Sequence, residues 1–139
     1  MEPMRGAQEA TIEMVRRGWE LICITSMPEK FVSARIANFK RLGMPITRTI
    51  VAPRPFMAPT AGSNPKAKPV AELAPAYFVD DLADNFIGVP SSVKKVLIHL
   101  PVPDSPNVDL LHRADIILPT LASFARQLPL YGSPALPEL

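Results

Sequence analysis

Two adjacent aspartates that follow an apolar run are the clearest candidates for chemistry. Asp80 and Asp81 come directly after residues 76–79, and Asp84 and Asn85 follow closely. Several oxygen donors therefore gather at one strand end, and hard oxygen donors suit Mg²⁺. The alternative is that Asp80 or Asp84 only caps the next helix, because Asp is a favoured N-cap residue.

Hydroxyl and lysine side chains upstream of the aspartates could bind an anion. One apolar run ends in Thr25 and Ser26. Further along, Asn64 is typical of an N-cap residue, so a helix is expected to start at Lys66, with Lys68 two residues later. Both positions also have a structural explanation. A threonine that ends a strand is often structural, and a lysine in a proline-rich loop is usually solvated.

The thiol and the imidazoles are weaker candidates. Cys23 lies within an apolar run, where a small buried thiol is the common outcome. His99 is predicted in an apolar strand and His112 in a short helix, and neither has a second ligand at metal-binding spacing. We expect structural roles for these three residues.

Hydrophobic periodicity indicates which elements position these residues. Apolar positions at helical spacing alternate with continuous apolar runs typical of strands covered on both faces. The pattern predicts an α/β fold, a Rossmann-like parallel sheet with helices on both faces and its ligand at the carboxyl ends of the strands. The helices are expected at 3–18, 28–43, 66–74 and 119–128, and the strands at 20–26, 46–52, 76–79, 93–100 and 115–118.

Composition narrows the class of protein. The 139 residues are 47% apolar with a formal charge of +2, which favours one compact domain, placed at 1–128, and argues against nucleic acid as the main partner. Fourteen of the seventeen prolines lie after residue 50, and their clusters predict a loop at 54–63 and a proline-rich tail at 129–139. No signal or membrane segment is apparent, so we expect a cytoplasmic location and no membrane partner.

The ordered polar positions resemble the motifs of haloacid-dehalogenase-like (HAD) phosphohydrolases. The run GWELICITS is similar to the second motif of that family, NPKAK to its lysine motif and YFVDDLADN to its acidic fourth motif. The resemblance covers about residues 3–128 and implies Mg²⁺-dependent phosphoryl transfer through an aspartyl-phosphate. The sequence does not identify the substrate: a small phosphorylated molecule is one candidate, and an open site without a cap would suit a large one.

The resemblance also implies a role for each candidate. Thr25, with Ser26 as the second choice, would hydrogen-bond a phosphoryl oxygen. Lys66, preferred over Lys68, would offset negative charge on the nucleophile and phosphate. The metal ligands would be Asp80 and Asp81, with Asp84 or Asn85 orienting them.

One motif of the family does not occur in this sequence. HAD enzymes open with a strand that carries Asp-x-Asp, and the 139 residues contain no such spacing. In the family's sheet that strand lies between the strands that correspond to those ending in Thr25 and Asp80. The resemblance therefore implies a HAD-like core that is incomplete at its N terminus. Three explanations are open: the gene start is set too late, the chain is a fragment, or the chain is a natural remnant of such a domain.

We expect this chain to have little or no phosphatase activity. A remnant could close the gap by pairing the flanking strands directly or by forming a homodimer, and would serve as a phosphate-binding, nucleotide-binding or structural module. No glycine-rich fingerprint follows a predicted strand, so dinucleotide binding is not expected.

Overall fold

The computed structural model describes residues 6–52, 64–100, 102 and 104–131, and within them helices alternate with parallel strands. The α-helices are α1 (Ala7–Arg16), α2 (Val32–Arg41), α3 (Ala67–Leu73) and α4 (Leu121–Gln127). The strands are β1 (Ile22–Thr25), β2 (Arg48–Val51), β3 (Tyr77–Asp80), β4 (Lys94–Ile98) and β5 (Ile116–Leu118). Short 3₁₀ helices complete the order: η1 (Glu29–Phe31), η2 (Ala83–Phe86) and η3 (Leu111–Arg113). The predicted α/β class is confirmed at this level.

The strands form two parallel sheets where the sequence predicted one. β1 pairs with β2, and a second sheet has the order β3-β4-β5. β4 is central in that second sheet, and its residues Val96 and Leu97 are fully buried, as expected of an apolar strand covered on both faces. No pairing joins β1 to β3 among the described residues, so the direct pairing considered above is not observed.

Helices cover both faces of the three-stranded sheet. The first core cluster packs α1 and α4 against one face, through residues such as Met14, Phe124 and Val96. The second core cluster packs α3 and η2 against the other face, through residues such as Val70 and Phe86. Alternate residues of each strand thus enter different clusters, as the period of two in a strand requires.

A glycine turn and a tryptophan connect α1 to β1. Gly18 adopts φ +95°, which closes the helix in a conformation that side chains rarely tolerate. Trp19 then donates a hydrogen bond from Nε1 to the Pro129 carbonyl at 2.7 Å and packs against the first core cluster. These contacts fix where β1 begins relative to the end of α4.

Several sequence expectations need adjustment or lie outside the described residues. β4 ends at Ile98, so His99 follows the strand, and its amide donates to the Leu118 carbonyl at 2.8 Å. The whole of the predicted loop at 54–63 and residues 132–139 of the predicted tail lie outside the described residues. Among the described helices, none has the length and apolar character needed to cross a bilayer.

The buried position of Leu97 predicts a large stability effect. Leu97→Ala leaves a cavity in the second core cluster, where the side chain is fully buried, and should lower the free energy of unfolding by about 2–5 kcal/mol. Urea denaturation measures this change. The matched control is Ile117→Ala on β5, where the side chain is exposed and the expected loss is under about 1 kcal/mol. Equal losses in the two variants would contradict the described core.

Candidate functional site

A largely buried ion pair lies at the carboxyl end of β3. Lys66 Nζ is 3.0 Å from Asp80 Oδ2, and the two side chains are only 13% and 7% exposed. Asp80 accepts two more hydrogen bonds, from the Leu82 amide at 3.0 Å and from Asn85 Nδ2 at 3.1 Å. A buried carboxylate needs such donors to offset its desolvation. Asp80 is therefore fixed by three donors.

The position of Lys66 is set by the residue two places before it. Asn64 Oδ1 accepts a hydrogen bond from the Lys66 amide at 3.1 Å, while Asn64 Nδ2 donates to the carbonyls of Asn85 and Ile87. One side chain thus ties the start of α3 to η2. Lys68 is exposed, so Lys66 is the lysine that lies at this cluster.

Asp81 differs from Asp80 because it makes no ion pair with a described residue. Although Asp81 is an exposed residue, desolvation of its carboxyl raises the pKa, and a hydrogen bond with Asp80 and the charge of Asp80 raise that pKa further. The charge of Lys66 acts in the opposite direction but is the smaller effect. Two carboxylates are thus neighbours while the lysine pairs with Asp80 only, an arrangement that a divalent cation would stabilise.

The two remaining acidic-motif residues lie on different sides of η2. Asn85 is buried and donates to Asp80, as described above. Asp84 is mostly exposed and pairs with Arg113 Nη1 at 3.1 Å on η3. The structure therefore brings Asn85 to the cluster and directs Asp84 away from it.

Thr25 and Ser26 lie at the carboxyl end of β1. Thr25 is buried, and its Oγ1 accepts a hydrogen bond from the Met27 amide at 3.2 Å. Ser26 is half-buried and begins the loop that follows β1. The Thr25 hydroxyl still has a hydrogen to donate, since the Met27 contact uses the oxygen as acceptor.

A polar loop that the sequence did not single out completes the surroundings of Asp81. Asn107 is buried, and its side chain accepts from the Ala83 amide and donates to the Asp81 carbonyl, both at 2.9 Å. Ser105 supports Asn107 by accepting from its amide at 3.2 Å. The loop follows β4 at the carboxyl edge of the sheet, and that position was the signal that could have identified it.

An open cavity of about 390 Å³ lies between this loop and the end of β3. Asp81 and His99 are on its wall together with Ser105 and Asn107. The rest of its lining is apolar, and the cavity opens beside the carboxylate whose pKa is raised.

The described residues contain no group of three or more His, Cys, Asp or Glu side chains that could hold a metal ion. A Mg²⁺ ion at Asp80 and Asp81 would therefore rely on water, on phosphate oxygens or on a carboxylate from elsewhere, as Mg²⁺ commonly does. Burial raises the pKa of the half-buried Cys23 thiol, although the nearby Arg35 and Lys66 charges act in the opposite direction. This thiol is mainly protonated at neutral pH.

Comparison with known proteins adds no relative. No protein-family model, no curated protein and no solved structure matches this chain.

The raised pKa of Asp81 predicts how stability depends on pH. At low pH the Asp81 carboxyl is protonated in both the folded and the unfolded chain, so its ionisation does not affect the free energy of unfolding. As pH rises through the ordinary Asp pKa of 3.8 and then the raised pKa, the folded chain loses stability relative to the unfolded chain. Asp81→Asn should therefore be more stable than the wild type at about pH 7 and equally stable at about pH 3.

Urea denaturation in EDTA at both pH values measures this difference. The matched control is Asp109→Asn, an exposed residue of the same loop region, which should change stability little at either pH. A less stable Asp81→Asn variant at neutral pH would show that the Asp81 carboxylate is stabilised in the fold.

Proposed function

We propose that this chain is a HAD-like domain with a Rossmann-like fold that binds Mg²⁺ and a phosphoryl group but does not hydrolyse phosphomonoesters by itself. The observation that carries the proposal is the Lys66–Asp80 ion pair with Asp81 beside it at the carboxyl end of β3. A buried lysine next to two carboxylates provides charge of both signs, as a metal–phosphate pair requires.

The arrangement of the other motif residues supports the same proposal. Thr25 ends β1 with a hydroxyl hydrogen to donate, and Asn85 orients Asp80. The two sheets separate between the strands that end in Thr25 and Asp80, which is where the family resemblance expects the Asp-x-Asp strand. Without that nucleophile, the remaining residues can position a phosphoryl group and stabilise its charge, but they cannot form the aspartyl-phosphate intermediate.

Titration with Mg²⁺ and inorganic phosphate tests the binding part of the proposal. We expect Mg²⁺, in the presence of phosphate, to shift the amide NMR signals of residues 80–85. Asp81→Asn should weaken Mg²⁺ binding by about tenfold or more, because it removes a charged ligand.

The matched control for this titration is Asp109→Asn, which makes the same chemical change at an exposed aspartate and should bind like the wild type. If neither Mg²⁺ nor phosphate binds the wild type, the chain is a structural module instead.

An assay with a generic phosphomonoester and Mg²⁺ tests the predicted lack of hydrolysis. We expect no turnover above background for the wild type, since the sequence offers no Asp-x-Asp pair. Turnover that is present in the wild type and lost in Asp81→Asn would show that another group acts as the nucleophile.

A further inference from the structure

The charged residues of this chain are distributed unevenly along the fold. Residues 30–71 contain eight lysines and arginines and no aspartate or glutamate. This range includes α2, β2 and the start of α3. Residues 72–139, which include the three-stranded sheet and its loops, contain eight acidic and four basic side chains. The small net charge of +2 is thus the difference between a strongly basic part of the chain and acidic parts.

The outer side of α2 carries exposed cations together with apolar side chains. Ile36 and Lys40 are exposed one helical turn apart, and Arg41 is exposed next to Lys40. Lys30 is exposed in η1, and its Nζ lies 5.1 Å from the centroid of the Phe31 ring, which is itself 50% exposed. None of the three cations makes an ion pair with a described residue. We name these residues the helix surface: Lys30, Phe31, Ile36, Lys40 and Arg41.

The loop after β4 has a surface of the opposite charge that is also apolar. Leu100, Val102 and Val108 are 62%, 54% and 55% exposed. Asp104 and Asp109 are exposed in the same loop and make no ion pair with a described residue. The loop is compact because its backbone forms successive hydrogen-bonded turns. We name these residues the loop surface: Leu100, Val102, Asp104, Val108 and Asp109.

The helix surface and the loop surface complement each other in charge, and both expose apolar groups. Within one chain they are not joined, since no ion pair or backbone hydrogen bond connects α2 to this loop among the described residues. Exposed apolar side chains beside charges of opposite sign favour association, and the charges set which surfaces meet. A net charge of +2 gives little repulsion between copies to oppose such a contact.

A nucleic acid fits the helix surface less well than a second copy does. A phosphate backbone needs a continuous series of cations along its path. The exposed residues between Lys30 and Lys40 carry no charge: Phe31, Ser33, Ala34, Ile36 and Ala37. A nucleic acid would also leave the acidic loop surface uncovered, whereas a second copy of this chain covers both surfaces.

We propose that copies of this chain associate with the helix surface of one copy against the loop surface of the next. This inference goes beyond the proposed function, since it needs neither Mg²⁺ nor phosphate. The pairing of surfaces is the same whether two copies close into a two-fold dimer or several form a longer assembly. Leu100 also lines the cavity beside Asp81, so the contact lies next to the candidate site.

Sedimentation velocity of the full chain in EDTA, without Mg²⁺ or phosphate, tests the proposal. At about 0.02 M salt we expect a weight-average mass above that of one chain, rising with protein concentration. At about 0.5 M salt we expect a mass close to that of one chain, because the screening length falls from roughly 20 Å to roughly 4 Å. A chain that remains monomeric at low salt and high concentration would overturn the proposal.

Exchanging the charges of the two surfaces identifies them directly. The helix variant combines Lys40→Glu with Arg41→Glu, at the end of the helix surface that lies away from Glu29. The loop variant combines Asp104→Lys with Asp109→Lys. Each variant alone should remain monomeric at low salt, because its two surfaces then have the same sign.

An equimolar mixture of the two variants should associate again, with an affinity within about threefold of that of the wild type, because opposite charges then meet between the copies. All four substituted side chains are exposed, and restored association would itself show that both variants are folded. A mixture that remains monomeric while both variants unfold in urea like the wild type would contradict the pairing of these two surfaces.

The matched control combines Lys94→Glu with Arg126→Glu, which makes the same change in net charge at exposed cations of β4 and α4. It should associate like the wild type. Loss of association in this control as large as in the helix variant would show that net charge, and not the helix surface, determines association. Because sedimentation is read in EDTA, failure of the metal titration leaves this result intact.

Discussion

The ion pair between Lys66 and Asp80 joins the start of α3 to the end of β3. Removing two charges from water costs several kcal/mol per ion unless hydrogen bonds replace the solvent. Asp80 has three donors, and Asn64 holds both the Lys66 backbone and the loop after η2. The arrangement of the candidate site therefore depends on this pair, and it leaves Asp81 as the neighbouring carboxylate with no cation of its own among the described residues.

The division of the sheet is the second constraint on the molecule. A parallel sheet is stable when both faces are covered and each inner strand has two neighbours. The described chain meets the first condition through its two core clusters, and β4 meets the second. Among the described strands, β1 and β3 do not meet the second condition, because each pairs with one of them only.

The sequence predicted the type and order of the elements because periodicity and proline positions are local signals. The strand ending in Asp80 and the helix start near Lys66 agree with the structure within about two residues. The number of sheets could not be predicted in this way, since pairing of β1 with β3 is a property of distant segments. The different surroundings of Asp84 and Asn85 had a similar origin. They depend on the 3₁₀ geometry of η2, which a pattern of residue types does not encode.

The loop that holds Asn107 and Ser105 was missed for another physical reason. Its prolines indicate a connection without regular structure, and the polar residues in such connections are usually solvated. Asn107 is instead buried, because its amide group satisfies a donor and an acceptor of the backbone around Asp81. Only the tertiary approach of this loop to η2 gives the asparagine that role.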